Sequence, residues 1–169
     1  FQLIEVPLNS PDPFDSISRI VSVLGDRAIV GAGTVTSAAE VRELAGIGAR
    51  MVLSPHFDLD VVGATVAAGM VSVPGVMSPT EAYGALKAGA HALKLFPMEA
   101  IGASGVKALR AVLPKDVRTI GVGGVDETNM AALRKAGCNG FGLGSTLYKP
   151  GDSPDHVAAR AAALQAASQ

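Results

Sequence analysis

The feature that most constrains the fold is a regular alternation of apolar, strand-like segments with helical segments along the 169-residue chain. The ends of the strand-like segments recur roughly every 20–26 residues, which is a supersecondary period. Strands that alternate with helices lie parallel in a sheet and are joined by right-handed crossovers. The seven strand candidates are 2–7, 28–33, 50–55, 70–74, 92–96, 118–123 and 140–144.

An open, doubly wound sheet and a closed (β/α)8 barrel both fit this alternation. The chain lacks the glycine-rich motifs GxGxxG and GxxxxGK[ST] that mark nucleotide-binding sheets, which favours the barrel. Seven strands and seven helices are counted, and the chain opens directly on a strand pattern after Phe1. We therefore expect one α/β TIM-barrel domain over residues 1–169, with seven of its eight strands because the first βα unit is missing.

Helix boundaries are marked by capping residues. In a capping box, a serine and a glutamate three residues further on satisfy each other's backbone N–H groups. Two helices are predicted to begin in this way, at Ser37 with Glu40 and at Ser78 with Glu81. Other helices are expected at 13–24, at 127–136 behind Asp126, over STLY after Gly144, and from Pro154 onward.

Composition argues against several classes of partner. The net charge is −1 and no block of Lys or Arg is present, so nucleic acid is not an expected partner. Residues 61–80 carry no charge, but glycines and prolines break the run, and no membrane span is predicted. The single cysteine, Cys138, allows no disulfide and favours a reducing, cytoplasmic setting. It is interpreted as a small buried thiol.

Two charged residues of opposite sign, Glu5 and Lys94, interrupt the interiors of the predicted strands. Inward and outward residues alternate along a barrel strand, and the outward ones pack against helices and are apolar. A charge in the middle of a strand is therefore expected to point into the barrel. Lys94 lies within the apolar run ALKLF and shares a face with Ala92 and Phe96.

This pair has a structural and a chemical interpretation. A buried salt bridge costs several kcal/mol of desolvation per ion and adds little net stability. In the chemical interpretation, burial lowers the pKa of Lys94 and leaves a neutral amine that attacks a carbonyl carbon. Glu5 then transfers protons. We favour the chemical interpretation, because an apolar pair would serve the structure equally well.

Glycine-rich turns follow the last two predicted strands, where barrels often hold a phosphate. Gly123 and Gly124 let backbone N–H groups approach an anion closely. Gly144 and Ser145 lead into a predicted helix start, which favours negative charge. Tight turns between strand and helix need glycine in any case, so it is the position of these turns that points to phosphate.

Histidines and acidic residues suggest no second site. His56 follows Pro55 and is an alternative proton shuttle, although a position on a loop surface is favoured because Glu5 already fills that role. His91 and His156 are interpreted as structural or exposed. No cluster of His, Asp and Glu has metal-ligand spacing, so neither a metal nor another cofactor is expected.

The chain resembles the class I 2-keto-3-deoxy-6-phospho-sugar-acid aldolases from residue 2 to about residue 151. The likeness rests on the segments IEVPLNSP, GAGTV, LSPH, PGVMSPTEA, ALKLFPMEA, GVGGV and GFGLGSTLYKPG. It implies a metal-free homotrimer that cleaves a phosphorylated keto-sugar acid to pyruvate and D-glyceraldehyde 3-phosphate. Pro7 and Asn9 favour the members that act on the galactonate-derived acid, as in galactonate catabolism, because the gluconate type usually carries Thr and Arg there.

By this resemblance Lys94 is the Schiff-base lysine and Glu5 is the general acid and base. The pyruvate pocket is lined by Thr34, Pro55 and Phe96. Phosphate is held by Gly123, Gly124, Gly144 and Ser145. The family also has an earlier strand that ends in an Arg-Gly turn, whose arginine helps to bind the substrate carboxylate, and that segment is absent from this sequence.

Three alternatives remain open. The first is an aldolase for the gluconate-derived epimer, of the Entner–Doudoroff type. The second is a barrel isomerase or epimerase, in which Lys94 stays protonated and only polarises a carbonyl. The third is a truncated barrel that binds phosphorylated ligands without catalysis. Fold alone does not separate them, because barrels host many chemistries.

Overall fold

The structure is a computed structural model that describes residues 1–168. Strands and α-helices alternate along this part of the chain, as expected. The strands are β1 (Leu3–Pro7), β2 (Ile29–Gly33), β3 (Met51–Leu53), β4 (Val71–Val73), β5 (Gly75–Val76), β6 (Leu93–Leu95), β7 (Thr119–Val122) and β8 (Gly140–Gly142). The helices are α1 (Pro13–Leu24), α2 (Ala38–Gly46), α3 (Leu59–Ala67), α4 (Pro79–Lys87), α5 (Met98–Val112), α6 (Met130–Ala136) and α7 (Pro154–Ala167).

The chain forms two compact units, one over Phe1–Lys94 and one from Leu95 onward. In the first unit, β1, β2, β3 and β4 form a parallel sheet in that order. Fully buried residues of the helices and strands, such as Ile17, Val41 and Val52, form its core. Because consecutive strands are neighbours and parallel, their carboxyl ends lie along one edge of the sheet.

The predicted capping boxes at the starts of α2 and α4 are both confirmed. The Ser37 hydroxyl accepts from the Glu40 N–H, and the Glu40 carboxylate accepts from the Ser37 N–H at 2.9 Å. Ser78 and Glu81 repeat this arrangement, with 2.8 Å for the reverse bond. These caps fix where the chain turns from strand to helix.

The predicted strand 70–74 differs in the structure. It is split into β4 and β5 by Pro74, and the second piece lies where the sequence suggested a turn. Proline has no N–H to give to a sheet, so hydrogen bonding breaks there while the backbone stays extended. At Gly75 a Cβ would overlap the carbonyl oxygen of Pro55, so only glycine allows this close approach.

In the second unit β7 and β8 pair in parallel, with Ile120 opposite Gly140. The predicted helix over 127–136 begins later, at Met130, because the Asp126 carboxylate accepts from the N–H of Thr128 at 2.9 Å and holds a turn instead. The prediction of a helix over STLY is also wrong. Leu147 and Tyr148 donate to the Gly144 carbonyl in a single turn that goes no further. No helix within residues 1–168 is long and apolar enough to cross a membrane.

Candidate active site

Lys94 lies in the middle of β6, between two fully buried leucines. The lysine itself is 7% exposed, and its backbone N–H donates to the Pro74 carbonyl at 2.9 Å. Lysine is almost never buried unless something compensates its charge. A buried lysine on a short apolar strand is what the sequence predicted.

Glu5 lies on β1 in the same unit and acts on Lys94 electrostatically. Burial lowers the pKa of Lys94, and the Glu5 charge opposes that shift. Burial also raises the pKa of Glu5, and here the Lys94 charge opposes the shift. For both groups desolvation outweighs the attraction between the charges, so each pKa is shifted in the direction that favours the neutral form relative to a solvent-exposed side chain. A neutral amine is the form of lysine that attacks carbonyl carbon.

Gly33 at the end of β2 makes room for the Glu5 carboxyl group. A Cβ on Gly33 would overlap the carboxylate oxygen Oε2 of Glu5. Glu5 as a whole residue is exposed, since β1 is the edge strand of its sheet. Its carboxyl group is nevertheless held against the Gly33 backbone, which explains why desolvation raises its pKa. Nothing in the sequence around Gly33 indicates that it belongs to the site.

Thr34 and Pro55 follow the carboxyl ends of β2 and β3, which are neighbours in the sheet, and β2 also pairs with β1. Thr34 has a φ of 59°, which is a left-handed conformation that a β-branched residue rarely adopts. Such backbone conformations cost about 1–3 kcal/mol and cluster at functional sites. Half-buried Thr34 and Pro55 therefore border the same sheet edge, and Thr34 has a strained backbone.

Gly123 and Gly124 form the turn after β7 in the second unit. Both have left-handed backbones, with φ of 95° and 64°, so glycine is required at each. The Asn129 side-chain amide donates to the Gly124 carbonyl at 2.7 Å, and the Thr146 hydroxyl donates to the Val125 carbonyl at 2.9 Å. The second bond ties the turn after β8 to the turn after β7, so the two predicted phosphate segments do meet.

Gly144 and Ser145 belong to that second turn and are exposed. Gly144 differs from Gly123 and Gly124, because a Cβ there would meet nothing within 4 Å. The three glycines look alike in the sequence, whereas the structure requires glycine only at Gly123 and Gly124. The amide of Asn129 and the hydroxyl of Thr146 carry no signal in the sequence that predicts these bonds.

Phe96 and Glu99 lie beside the Gly123–Gly124 turn. A Cβ on Gly123 would be 3.4 Å from the Phe96 ring and 2.7 Å from the Glu99 carboxylate. On Gly124 the corresponding distance to Glu99 is 3.0 Å. An acidic side chain thus faces the turn that is predicted to hold phosphate, and no sequence pattern indicates this.

A cavity of about 230 Å³ lies between α5 and α6. Glu99, Gly124 and Asn129 line it, together with apolar side chains of the two helices. Neither Lys94 nor Glu5 lines this cavity. It borders the glycine turn and is not the place where the sequence predicts covalent chemistry.

The other candidate side chains lie elsewhere. His56 is exposed, as favoured. Cys138 is buried, and burial raises the pKa of its thiol, so it is the inert thiol expected. Among residues 1–168, no group of three or more His, Cys, Asp or Glu side chains could hold a metal ion.

Comparison with known proteins identifies the family. Residues 1–157 match the aldolase family described as KDPG and KHG aldolase. The chain belongs to this aldolase family. It is also 46% identical, over 97% of its own length and 80% of the other chain, to the 2-dehydro-3-deoxy-6-phosphogalactonate aldolase of Escherichia coli strain K12.

Two solved structures of KDPG-type aldolases extend the comparison. The native structure of KDPGal has a TM-score of 0.94 at 46% identity, covering 96% of this chain and 79% of that one. This likeness confirms the α/β TIM-barrel class expected from the sequence. A Legionella pneumophila KDPG aldolase, solved with pyruvate captured as a covalent carbinolamine, has a TM-score of 0.73 at 25% identity and covers 83% of this chain and 69% of that one.

Proposed function

We propose that this aldolase cleaves 2-dehydro-3-deoxy-6-phosphogalactonate to pyruvate and D-glyceraldehyde 3-phosphate through a Schiff base on Lys94. The observation that carries the proposal is a buried lysine whose pKa is lowered by desolvation, coupled to a carboxyl group on a strand of the same unit. The covalent carbinolamine of the Legionella pneumophila relative supports the covalent route.

The reaction begins with the neutral Lys94 amine, which attacks the C2 carbonyl carbon and forms a carbinolamine. Loss of water gives a protonated imine, which serves as an electron sink. Removal of the C4 hydroxyl proton then lets the C3–C4 bond break, and its electron pair forms the enamine as the aldehyde leaves. Protonation of the enamine carbon and hydrolysis of the imine release pyruvate and restore Lys94.

Glu5 is the proton carrier in this scheme. Burial raises the pKa of Glu5 toward neutral pH. A group whose pKa lies closer to the working pH donates and accepts protons more readily. It protonates the leaving hydroxyl of the carbinolamine and becomes a carboxylate. It then takes up the C4 hydroxyl proton through water and delivers a proton to the enamine carbon. The opposite signs of the two pKa shifts suit this division of roles, because the lysine is needed neutral and the acid is needed part of the time protonated.

Substrate binding divides between the two ends of the sugar acid. Thr34, Pro55 and Phe96 contact the pyruvate half, and the strained backbone of Thr34 supports its place there. Gly123, Gly124, Gly144 and Ser145 bind the phosphate, mainly through backbone N–H groups. Binding of the phosphate orients the substrate and supplies binding energy at a distance from the reacting bond.

The gluconate-derived epimer is the second candidate substrate, and a relative from Pseudoalteromonas atlantica that bears the phosphogluconate name is 35% identical over 76% of this chain. The galactonate-derived acid is preferred because the relatives named for it are more similar to this chain. The homotrimer, the cytoplasmic setting and the single-domain organisation expected from the sequence remain predictions.

A coupled assay that follows pyruvate release tests the proposal with both epimers. The galactonate-derived acid is expected to give a kcat/KM at least about tenfold higher than the gluconate-derived acid, because one misplaced hydroxyl leaves a polar group unpaired. Faster cleavage of the gluconate-derived epimer would overturn the substrate assignment. Turnover of neither would overturn the aldolase function.

A further inference from the structure

The Gly123–Gly124 turn after β7 contains little that would keep it in one conformation. Glycine has more backbone freedom than any other residue, so two in succession lose much entropy when the turn is ordered. On one side Gly124 borders the cavity between α5 and α6, so close packing does not support the turn there. Other contacts are therefore needed to fix the direction of its N–H groups.

The side chain of Asn129 holds the peptide groups that follow Gly124. Its Nδ2 donates to the Gly124 carbonyl at 2.7 Å, and its Oδ1 accepts from the Asp126 N–H at 3.1 Å. An asparagine amide has a donor end and an acceptor end, and here each end meets the complementary backbone group. We call this pair of bonds the Asn129 clamp.

Thr146, in the turn after β8, holds the same segment from another direction. Its hydroxyl donates to the Val125 carbonyl at 2.9 Å. The peptide bond between Val125 and Asp126 is trans, so its C=O and N–H point in opposite directions. This peptide group is thus held on both sides, its carbonyl by Thr146 and its N–H by Asn129.

The position of Asn129 in the chain would ordinarily give its side chain a different task. Asn129 stands directly before α6, where an asparagine commonly caps the helix by accepting from one of its first N–H groups. Ser78 caps α4 in this way. Within residues 1–168 the Asn129 side chain makes no such bond to α6 and turns back to the glycine turn instead. Its amide therefore serves the turn and not the helix.

These side-chain bonds occupy atoms of the turn that would repel an anion. Asn129 and Thr146 bond to the carbonyls of Gly124 and Val125, whereas an anion is bound by backbone N–H groups. Fixing the carbonyls in this way keeps their oxygens from turning toward a phosphate. None of the three bonds involves the N–H of Gly123 or Gly124.

We infer that Asn129 is a positioning residue for substrate binding: its amide fixes the peptide groups of the glycine turn so that the N–H groups of the turn face the substrate phosphate. This inference rests on the proposed function, in which Gly123 and Gly124 bind that phosphate. Asn129 itself touches neither the phosphate nor Lys94 in this scheme, because both ends of its amide are bonded to the backbone.

Asn139 supplies a matched control at the opposite end of β7. Its Oδ1 accepts from the Thr119 N–H at 2.8 Å, so it is a second asparagine whose side chain bonds to a backbone N–H beside this strand. Thr119 is fully buried and begins β7, whereas the glycine turn follows the other end of the strand. Asn139→Ala therefore removes a comparable bond without altering the turn.

The test compares Asn129→Ala and Asn139→Ala with the unaltered protein in four measurements. The first two are the steady-state constants for cleavage of the phosphorylated substrate, kcat and KM, and the rate at which cyanoborohydride traps pyruvate on Lys94. The third is inhibition of cleavage by inorganic phosphate, which probes the turn without the sugar acid. The fourth is the midpoint temperature of thermal unfolding.

Asn129→Ala should raise KM and the inhibition constant of inorganic phosphate by about five- to twentyfold, because the backbone donors remain but are less well oriented. Its kcat and its rate of pyruvate trapping should stay within about twofold, since pyruvate carries no phosphate. Both variants should lower the unfolding midpoint, because each leaves a backbone N–H without its acceptor. Asn139→Ala should leave KM and phosphate inhibition unchanged.

Three results would overturn the inference. The first is an unchanged KM and inhibition constant in Asn129→Ala. The second is an equal increase of these constants in both variants, and the third is a loss of pyruvate trapping as large as the loss of phosphate affinity. Either of the last two would mean that removal of the amide acts through general destabilisation and not through the turn.

A measurement on the unaltered protein covers the case in which Asn129→Ala does not fold. By NMR, the Asp126 N–H should exchange slowly with solvent because Asn129 protects it, and inorganic phosphate should shift the N–H resonances of Gly123 and Gly124. Unprotected exchange at Asp126 would refute the clamp, and glycine resonances that phosphate leaves unmoved would refute its role in binding. Absence of any pyruvate adduct would instead refute the proposed aldol chemistry, while the exchange and the phosphate titration would still decide on the clamp.

Discussion

The two units of the molecule supply different kinds of functional group. The first unit holds ionisable side chains, Lys94 and Glu5, whose pKa values are shifted toward the neutral forms by burial. The second unit presents a turn of two glycines with left-handed backbones, and its functional atoms belong to the main chain. In the proposed mechanism, bond breaking therefore depends on side-chain electrostatics, and binding of the phosphate depends on the conformation of the backbone.

This difference predicts that substitutions in the first unit will affect mainly kcat and that substitutions in the second unit will affect mainly KM. Changes near Lys94 should lower kcat, because they alter groups that act in the transition state. Changes at the glycine turn should raise KM for phosphorylated substrate, because they remove binding that is equal in ground and transition states.

The largest effect is expected from Lys94→Met. Cleavage should fall by more than about 10⁴-fold, the scale on which loss of a covalent nucleophile acts. The fold should persist, since methionine fills a similar volume and removes a buried amine. Steady-state kinetics and circular dichroism check both points. Lys87→Met, at an exposed helical position, is the control and should retain full activity. Activity retained in Lys94→Met would disprove the role of the lysine.

Glu5→Gln should lower kcat by about 10²–10⁴-fold, the usual contribution of a general acid and base. It should also change the pH dependence of trapping with pyruvate. Trapping requires the neutral amine, so its rate rises with pH through the Lys94 pKa, which lies below the ordinary value of 10.5. Because the Glu5 charge raises that pKa, its removal should shift the midpoint to still lower pH. A shift to higher pH, or an effect on KM alone, would contradict the proton-carrier role.

Gly123→Ala should raise KM for the phosphorylated substrate by about tenfold, as expected when a backbone donor is displaced from an anion. The added Cβ would lie 2.7 Å from the Glu99 carboxylate, on a backbone with φ of 95°. Trapping of free pyruvate should stay normal, since pyruvate has no phosphate. Gly140→Ala is the control, because a Cβ there meets nothing within 4 Å. If Gly123→Ala reduced pyruvate trapping as much as it reduced the affinity for phosphorylated substrate, the two units would not have the separate roles described above.

Glu99→Gln is expected to have the smallest effect, and in the opposite direction. Removal of a carboxylate next to the glycine turn should lower KM for the phosphorylated substrate by about two- to fivefold, since exposed charges at such distances interact by about 1 kcal/mol. The gain should shrink as salt concentration rises. Kinetics at low and high ionic strength measure it. A raised KM would show instead that Glu99 helps to bind the substrate.

The same contrast explains what could be predicted from the sequence. Lys94 and Glu5 were recognisable because a charge in an apolar strand is an anomaly that no folding requirement explains. Gly33 and Glu99 were not recognisable, because their roles arise only when distant segments come together. The start of α6 was misplaced because the Asp126 carboxylate accepts from the Thr128 N–H within a turn. A side chain that bonds to the local backbone in this way competes with helix formation, and the hydrophobic pattern of the sequence does not reveal it.

The central claim is that the Lys94 amine forms the bond to substrate. Incubation of the active enzyme with pyruvate and borohydride, followed by peptide mapping by mass spectrometry, tests it most directly. A single reduced pyruvate adduct on Lys94 is the predicted result. An adduct on another lysine, or none from enzyme that cleaves its substrate, would contradict the account.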